Sequence, residues 1–164
     1  MSTTEQNLKD AFAGESQANR KYLAFAKQAD KEGYPQVAKL FRAAAAAETV
    51  HAHNHLEQLD GIKSTRENLE AAIGGETFEF KEMYPQMIMD AEEEGNKGAL
   101  RSFNFANDVE KVHAELYQNA LDNLGKNEDS DYYVCEVCGY TAEGSAPDEC
   151  PVCKAKKQAF SKID

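Results

Sequence analysis

No cysteine occurs in the first 134 residues; all four lie between 135 and 153. A disulfide framework spreads its cysteines more widely, so this clustering points to metal in a reducing compartment. No apolar run approaches the ~20 residues that span a bilayer, which excludes a helical membrane protein. Basic residues are scarce, 18 against 29 acidic, for a net charge of −11. That balance argues against nucleic acid and anionic membrane surfaces as partners. The opening "MSTTEQNLKD" has no apolar core of a signal peptide, so the cytoplasm is the expected location. At 164 residues and 41% hydrophobic, the chain has material for one ordinary domain and a small appendage.

What is present is mostly helical. Helix A is expected over about 4–31, ending near Gly33, and Pro35 suits the first turn of helix B, which runs to about 60. Ser64 and Glu67 form a possible capping box for helix C, with an interruption expected at Gly74-Gly75 and a stop at Gly95. Helix D is expected over about 97–124, with Gly125 as its cap. These segments repeat. Shifting residues 22–52 by 62 positions lays Tyr22 on Tyr84, Ala29 on Ala91 and Glu32-Gly33 on Glu94-Gly95. It also lays Phe41 on Phe103, Ala44 on Ala106, Glu48 on Glu110, and Val50-His51-Ala52 on Val112-His113-Ala114. A duplicated helical hairpin builds a four-helix bundle with an approximate two-fold axis.

The apolar stripes of these helices carry acids. Helix B reads Val37, Phe41, Ala44, Glu48, His51, His55, Leu59, with steps of three and four. Helix D reads Phe103, Ala106, Glu110, His113, Tyr117, Ala120, Leu124. Helix A turns Glu15 and Tyr22 inward, and helix C turns Glu76, then Glu79 or Phe80, Met83 and Met87. One such glutamate is ordinary. Five, with two histidines, cannot share a small apolar volume as bare carboxylates. Two divalent metal ions answer the charge. Residues i and i+3 share a helix face, so each E-x-x-H motif sends one oxygen and one nitrogen to the same point. Two such motifs plus one glutamate from each other helix is the di-iron carboxylate pattern.

Glu15 shifted by 62 falls on Thr77, while Glu76 is its natural counterpart. Helix C therefore carries a one-residue offset before Tyr84, and a π-bulge is expected between 76 and 84. Tyr22 and Tyr84 read either as core aromatics or as hydrogen-bond donors to the ligand carboxylates. His55 reads as a core histidine, His53 as solvated, and Met83, Met87 and Met89 as packing.

Residues 125–131, "GKNEDSD", form a polar linker between a helical domain, 1–130, and a turn-rich β-ribbon domain, 131–164. In the ribbon, Cys135-x-x-Cys138 and Cys150-x-x-Cys153 offer four thiolates in tetrahedral array. Spacing leaves zinc and a single iron both open.

With "AFAGESQANRKY", "AETVHA", "GGETFEFKEMYP", "EKVHAELY" and "YVCEVCGYTAEGSAPDECPVC" quoted, the chain resembles the rubrerythrin family over essentially its full length. The resemblance implies a mainly α fold, a ferritin-like four-helix bundle followed by a small rubredoxin-like β-ribbon domain. It implies two non-haem irons in a carboxylate-bridged pair and one iron in the four-cysteine site, where zinc can substitute in a recombinant sample. It implies a peroxidase of oxidative-stress protection that reduces hydrogen peroxide by H2O2 + 2 H+ + 2 e− → 2 H2O. By the same resemblance Glu48 and Glu110 bridge, Glu15 holds one iron and Glu76 the other, and His113 holds the second iron permanently. Glu79 and His51 form the switching pair, the first when oxidised and the second when reduced. Lys154 departs from the family, which often has glycine there.

The chain has no G-x-G-x-x-G element, so the electrons must come from outside, from a rubredoxin or an NAD(P)H-dependent reductase. The connection 60–64 is short for a return along helix B, which would span ~35 Å at ~1.5 Å per residue. It predicts a homodimer or tetramer in which helices C and D pack on A and B of a second chain. The rival functions are a ferritin-like ferroxidase storing iron and a pure electron carrier with the bundle as scaffold.

Overall fold

The structure, a computed structural model, describes residues 2–164. The chain divides into two compact units, the first ending at Lys63 and the second spanning Ser64–Asp164.

The first unit is a helical hairpin of α1 (Thr3–Lys31) and α2 (Pro35–Gln58). Ser2 sits in extended backbone ahead of α1 and its hydroxyl accepts from the Glu5 amide at 3.1 Å. Gly33, at φ +83, turns the chain, and Pro35 starts α2 where a missing N–H costs nothing. The buried seam is small: Ala26 and Ala29 on α1 meet Ala38 and Ala45 on α2, with Ala52 further along. This differs by one residue from the expected stripe, whose Val37 is exposed. Alanines let two helix backbones approach closely, so they take the hairpin contact. The stripe bearing Glu48 and His51 lies beside that contact. Asn19 is the buried polar residue here, donating from Nδ2 to Ala45 O at 2.7 Å and to Thr49 Oγ1 at 2.9 Å.

The second unit begins with α3 (Thr65–Phe78), whose capping box is formed: Ser64 N donates to Glu67 Oε2 at 3.1 Å and Glu67 N to Ser64 Oγ at 3.4 Å. The helix runs straight through Gly74-Gly75, contrary to expectation. Two glycines cost about 1 kcal/mol each in a helix interior, too little to stop a capped and packed one. The break comes instead at Glu79–Met83, a π-helical turn leading into α4 (Tyr84–Glu93). The Tyr84 amide reaches back five residues to Glu79 O. Pro85 follows directly, and a proline cannot donate to the residue four before it, so the widened turn sits where an α-helical bond is already missing. The expected π-bulge is thus present.

Gly95, at φ +66, ends this rod, and Asn96 caps α5 (Lys97–Asp122) by accepting from Ala99 N at 3.1 Å. α5 stops two residues short of the expected 124. Asn123 O accepts from Lys126 N at 2.7 Å, so Gly125, at φ +89, belongs to a turn after the helix rather than to its cap. Beyond the linker, β1 (Tyr132–Cys135) lies between β2 (Thr141–Glu143) and β3 (Phe160–Ile163), both antiparallel to it. Val134 pairs with Thr141 on one side and Ser161 on the other. Gly139 of the loop between β1 and β2 approaches Val109 of α5.

Candidate metal centres

Among the described residues, three groups of side chains converge on points that could hold a cation. In the first unit α1 supplies Glu15 and α2 supplies Glu48 and His51, their donor atoms all within 4.8 Å of one another. His51 Nδ1 lies 2.8 Å from Glu48 Oε2, as the i, i+3 spacing dictates. The glutamates are half-buried, but the His51 side chain is 53% exposed.

In the second unit α3 supplies Glu76 and α5 supplies Glu110 and His113, again within 4.8 Å. His113 Nδ1 is 2.8 Å from Glu110 Oε2 and 3.7 Å from Glu76 Oε1. Here the imidazole is only 27% exposed. Its far nitrogen, Nε2, lies 2.9 Å from Thr141 Oγ1 on β2. Glu79, in the π-helical turn, stands outside this triad, and its carboxyl is pushed up by burial first and the Glu110 charge second, with His113 acting the other way. Glu76 is pushed up to about 7, by burial, by the charge of Glu110, by a hydrogen bond with it, and by Glu79.

These shifts are what a metal site shows when only protons are available to it. An acid crowded by other acids holds a proton unless another cation takes its place. An imidazole nitrogen aimed at two carboxylate oxygens also fits a metal ion at their common point, with oxygen and nitrogen donors suited to iron.

Tyr22 packs its ring on Phe25 and Phe41, and Tyr84 on Phe103. Burial raises the Tyr84 hydroxyl, helped by the charges of Glu110, Glu79 and Glu76 in that order, so this hydroxyl faces the acidic cluster and keeps its proton. His55 is half-buried and His53 exposed. Met87 and Met89 are exposed, while Met83 is half-buried in the π-helical turn.

The third group is Cys135, Cys138, Cys150 and Cys153. Cys135 and Cys153 Sγ are 3.6 Å apart, as are Cys138 and Cys150 Sγ. This is far beyond a disulfide bond and close to the ~3.8 Å edge of a tetrahedron with ~2.3 Å metal–sulfur bonds. Two matching loops make the site. Gly139 N donates to Cys135 O at 2.8 Å and Lys154 N to Cys150 O at 3.0 Å, both at left-handed backbone, φ +86 and φ +64. Backbone amides point at the sulfurs: burial pushes the Cys135 thiol up, but bonds from the Val137 and Cys138 amides outweigh it and leave it lowered. Burial raises Cys138 and Cys153, against amides of Tyr140 and Ala155 that favour their thiolates. Thiols that crowd one another this way lose their protons to a metal.

Sequence reasoning missed Thr141. Nothing in its neighbourhood marks it, because its partner lies 28 positions earlier and the contact depends on how the ribbon seats on α5.

Comparison with known proteins gives the following. Residues 6–121 match the family described as Rubrerythrin, and residues 133–161 match "Rubrerythrin, rubredoxin-like domain". Rubrerythrin-2 of Clostridium acetobutylicum is 36% identical, covering 96% of this chain and 95% of that protein. Nigerythrin of Nitratidesulfovibrio vulgaris is 37% identical, covering 97% and 86%. The solved structure of fully reduced, all-ferrous nigerythrin aligns with a TM-score of 0.60 at 37% identity, covering 99% of this chain and 88% of that one.

Proposed function

This chain belongs to the rubrerythrin family, with that family's di-iron carboxylate site and rubredoxin-like iron site, and from that premise we propose that it is a non-haem di-iron peroxidase reducing hydrogen peroxide to water in oxidative-stress protection. One observation carries the reading: two E-x-x-H donor sets, each with an added glutamate, occur in the same chain as a four-cysteine site. A redox pair beside a one-electron carrier makes a reductase; either alone makes something else.

Two ferrous ions held at the carboxylate site would supply the two electrons that peroxide reduction needs, one from each. The chain's own residues do the rest. Glu15, Glu48, Glu76, Glu110 and His113 would hold the pair, with Glu48 and Glu110 shared between the two ions. Glu79 sits on the widened turn and would alternate with His51 as a ligand. Glu79, whose carboxyl is raised by burial and by the Glu110 charge, is the acid placed to pass a proton to the departing oxygens when it is not itself a ligand. The Tyr84 hydroxyl, raised by burial and by the charges of Glu110, Glu79 and Glu76, keeps its proton beside the same acids. An iron held by Cys135, Cys138, Cys150 and Cys153 would pass electrons one at a time, drawn from a rubredoxin or from NAD(P)H through a separate reductase, in the cytoplasm.

The assembly we propose is a homodimer, or a tetramer of such pairs, in which the helices of the second unit complete the hairpin of another chain. Between Gln58 and Thr65 the chain spans at most ~25 Å at ~3.5 Å per residue. A return along α2 needs ~36 Å at ~1.5 Å per residue. Leu23, Phe25, Leu40 and Val50 of the first unit are exposed apolar residues that such a partner would cover. Mixing two variants tests it: one chain with Glu48→Ala and His51→Ala, the other with Glu110→Ala and His113→Ala. The mixed dimer regains one complete site only if the sites are shared between chains.

The function itself is tested by anaerobic reduction followed by stoichiometric peroxide. Both iron chromophores should reoxidise, with one peroxide consumed per two electrons. Iron mineral uptake instead would mark a ferroxidase, and no peroxide turnover after full reduction would mark an electron carrier.

A further inference from the structure

The two E-x-x-H motifs match in sequence but not in what stands behind the imidazole. His113 Nε2 meets Thr141 Oγ1 at 2.9 Å, and that hydroxyl donates to Gly139 O at 3.3 Å. A hydroxyl has one hydrogen. Given to the Gly139 carbonyl, it leaves the Thr141 oxygen to accept, so Nε2 carries the proton. Nδ1 then presents its lone pair toward Glu76 and Glu110. His51 Nδ1 faces Glu48 in the same way, yet among the described residues its Nε2 has no hydrogen-bond partner, and the ring is half exposed.

Thr141 is firmly held. It opens β2, paired with Val134 of β1, and the loop before it carries Cys138 and Gly139, with the Gly139 amide bonded to Cys135 O. The ribbon therefore brings a fixed acceptor to one histidine of an otherwise symmetric pair. We propose that Thr141 is the positioning residue that makes His113 the fixed histidine, by locking it as the Nε2–H tautomer with Nδ1 turned to the metal. His51 lacks such a lock and is the histidine free to leave. This rests on the di-iron reading above, and it assigns the difference between the two histidines to the ribbon, beside the extra acid that the π-helical turn contributes. A hydrogen-bond partner behind the ring is a general means of orienting a metal-bound imidazole.

The test uses the full chain loaded with zinc, which is diamagnetic, and long-range proton–nitrogen correlation spectra of the histidine rings. The wild type should show His113 protonated at Nε2 with a slowly exchanging proton, and His51 without one. Thr141→Val should speed exchange of the His113 proton by about tenfold, the loss of roughly one hydrogen bond. Thr141→Ser should restore the wild-type spectrum, which a purely packing role for the methyl group would not do. Should Thr141→Val fail to fold, the wild-type tautomer and the serine variant still decide. A wild-type His113 protonated at Nδ1, or exchange unchanged by Thr141→Val, overturns the proposal. Peroxide turnover is measured apart: its absence defeats the peroxidase reading and leaves the tautomer result standing.

Discussion

The hairpin of α1 and α2 and the rod pair of α3–α5 present the same ligand set, and their histidines live in different surroundings. His51 is 53% exposed and, among the described residues, pairs with Glu48 alone; His113 is 27% exposed with Glu110 and Glu76 on one side and Thr141 on the other. A repeat copies spacing, and spacing alone makes an oxygen and a nitrogen converge. It does not copy what leans on the copy from outside. Two features separate the halves: the π-helical turn at Glu79–Met83, which gives one half an extra acid, and the ribbon, which gives one histidine a second anchor.

The sharpest way to break this comparison is to remove each histidine in turn. His113→Ala should lower iron affinity of the carboxylate site by more than about 100-fold, since an orienting partner alone is worth roughly 10–100-fold and here a ligand is lost with it. His51→Ala should cost about tenfold or less while turnover slows, on the proposed exchange in which Glu79 takes that position. Iron titration of the two variants by calorimetry reads the difference, and equal losses would erase the asymmetry.

A second prediction concerns protons. Glu76 is raised in the folded protein to about 7 from an ordinary 4.5. The folded state then binds the proton more tightly than the unfolded chain. Its contribution to stability is complete below about 4.5 and is lost as pH rises toward about 7. Thermal melts of metal-stripped protein should show stability falling across that window, Glu76→Gln should flatten the fall, and bound iron should abolish it. A metal-free protein equally stable across the window would contradict the crowding of acids on which the site rests.

The smallest effect repeats the comparison within the ribbon. Gly139 and Lys154 occupy matching left-handed positions after Cys138 and Cys153, and only glycine adopts them freely. Lys154 Nζ donates to Pro151 O at 2.9 Å, a partial compensation. Lys154→Gly should stabilise the ribbon by up to about 1 kcal/mol, and Gly139→Ala should destabilise it by about 1–2 kcal/mol. Metal release to a chelator during denaturant titration measures both.

Much of this molecule was legible in its sequence, for identifiable reasons. The E-x-x-H spacing, the capping box at Ser64 and the paired C-x-x-C motifs are local, so helix and loop geometry carry them directly into three dimensions. Even the π-helical turn was legible, because a one-residue slip in an internal repeat has to be absorbed somewhere. What escaped reading depends on tertiary context. Gly74-Gly75 looked like a break and is not, since packing outweighs propensity. The buried seam of the first hairpin falls on Ala38 and Ala45 rather than on the larger residues beside them, because close helix contact selects small side chains. Asn19 and Thr141 act on partners 26 and 28 positions away, and no local pattern announces such pairs.

The claim beneath all of this is that the long helices turn acids inward because iron lies among them. Diffraction from crystals of the iron-loaded chain, collected at the iron absorption edge, tests it directly. Three iron peaks per chain are expected, two of them about 3.5–4 Å apart and touching Glu48, Glu110 and His113, the third among Cys135, Cys138, Cys150 and Cys153. A single peak among the cysteines, with the glutamates turned out to water, would contradict the account.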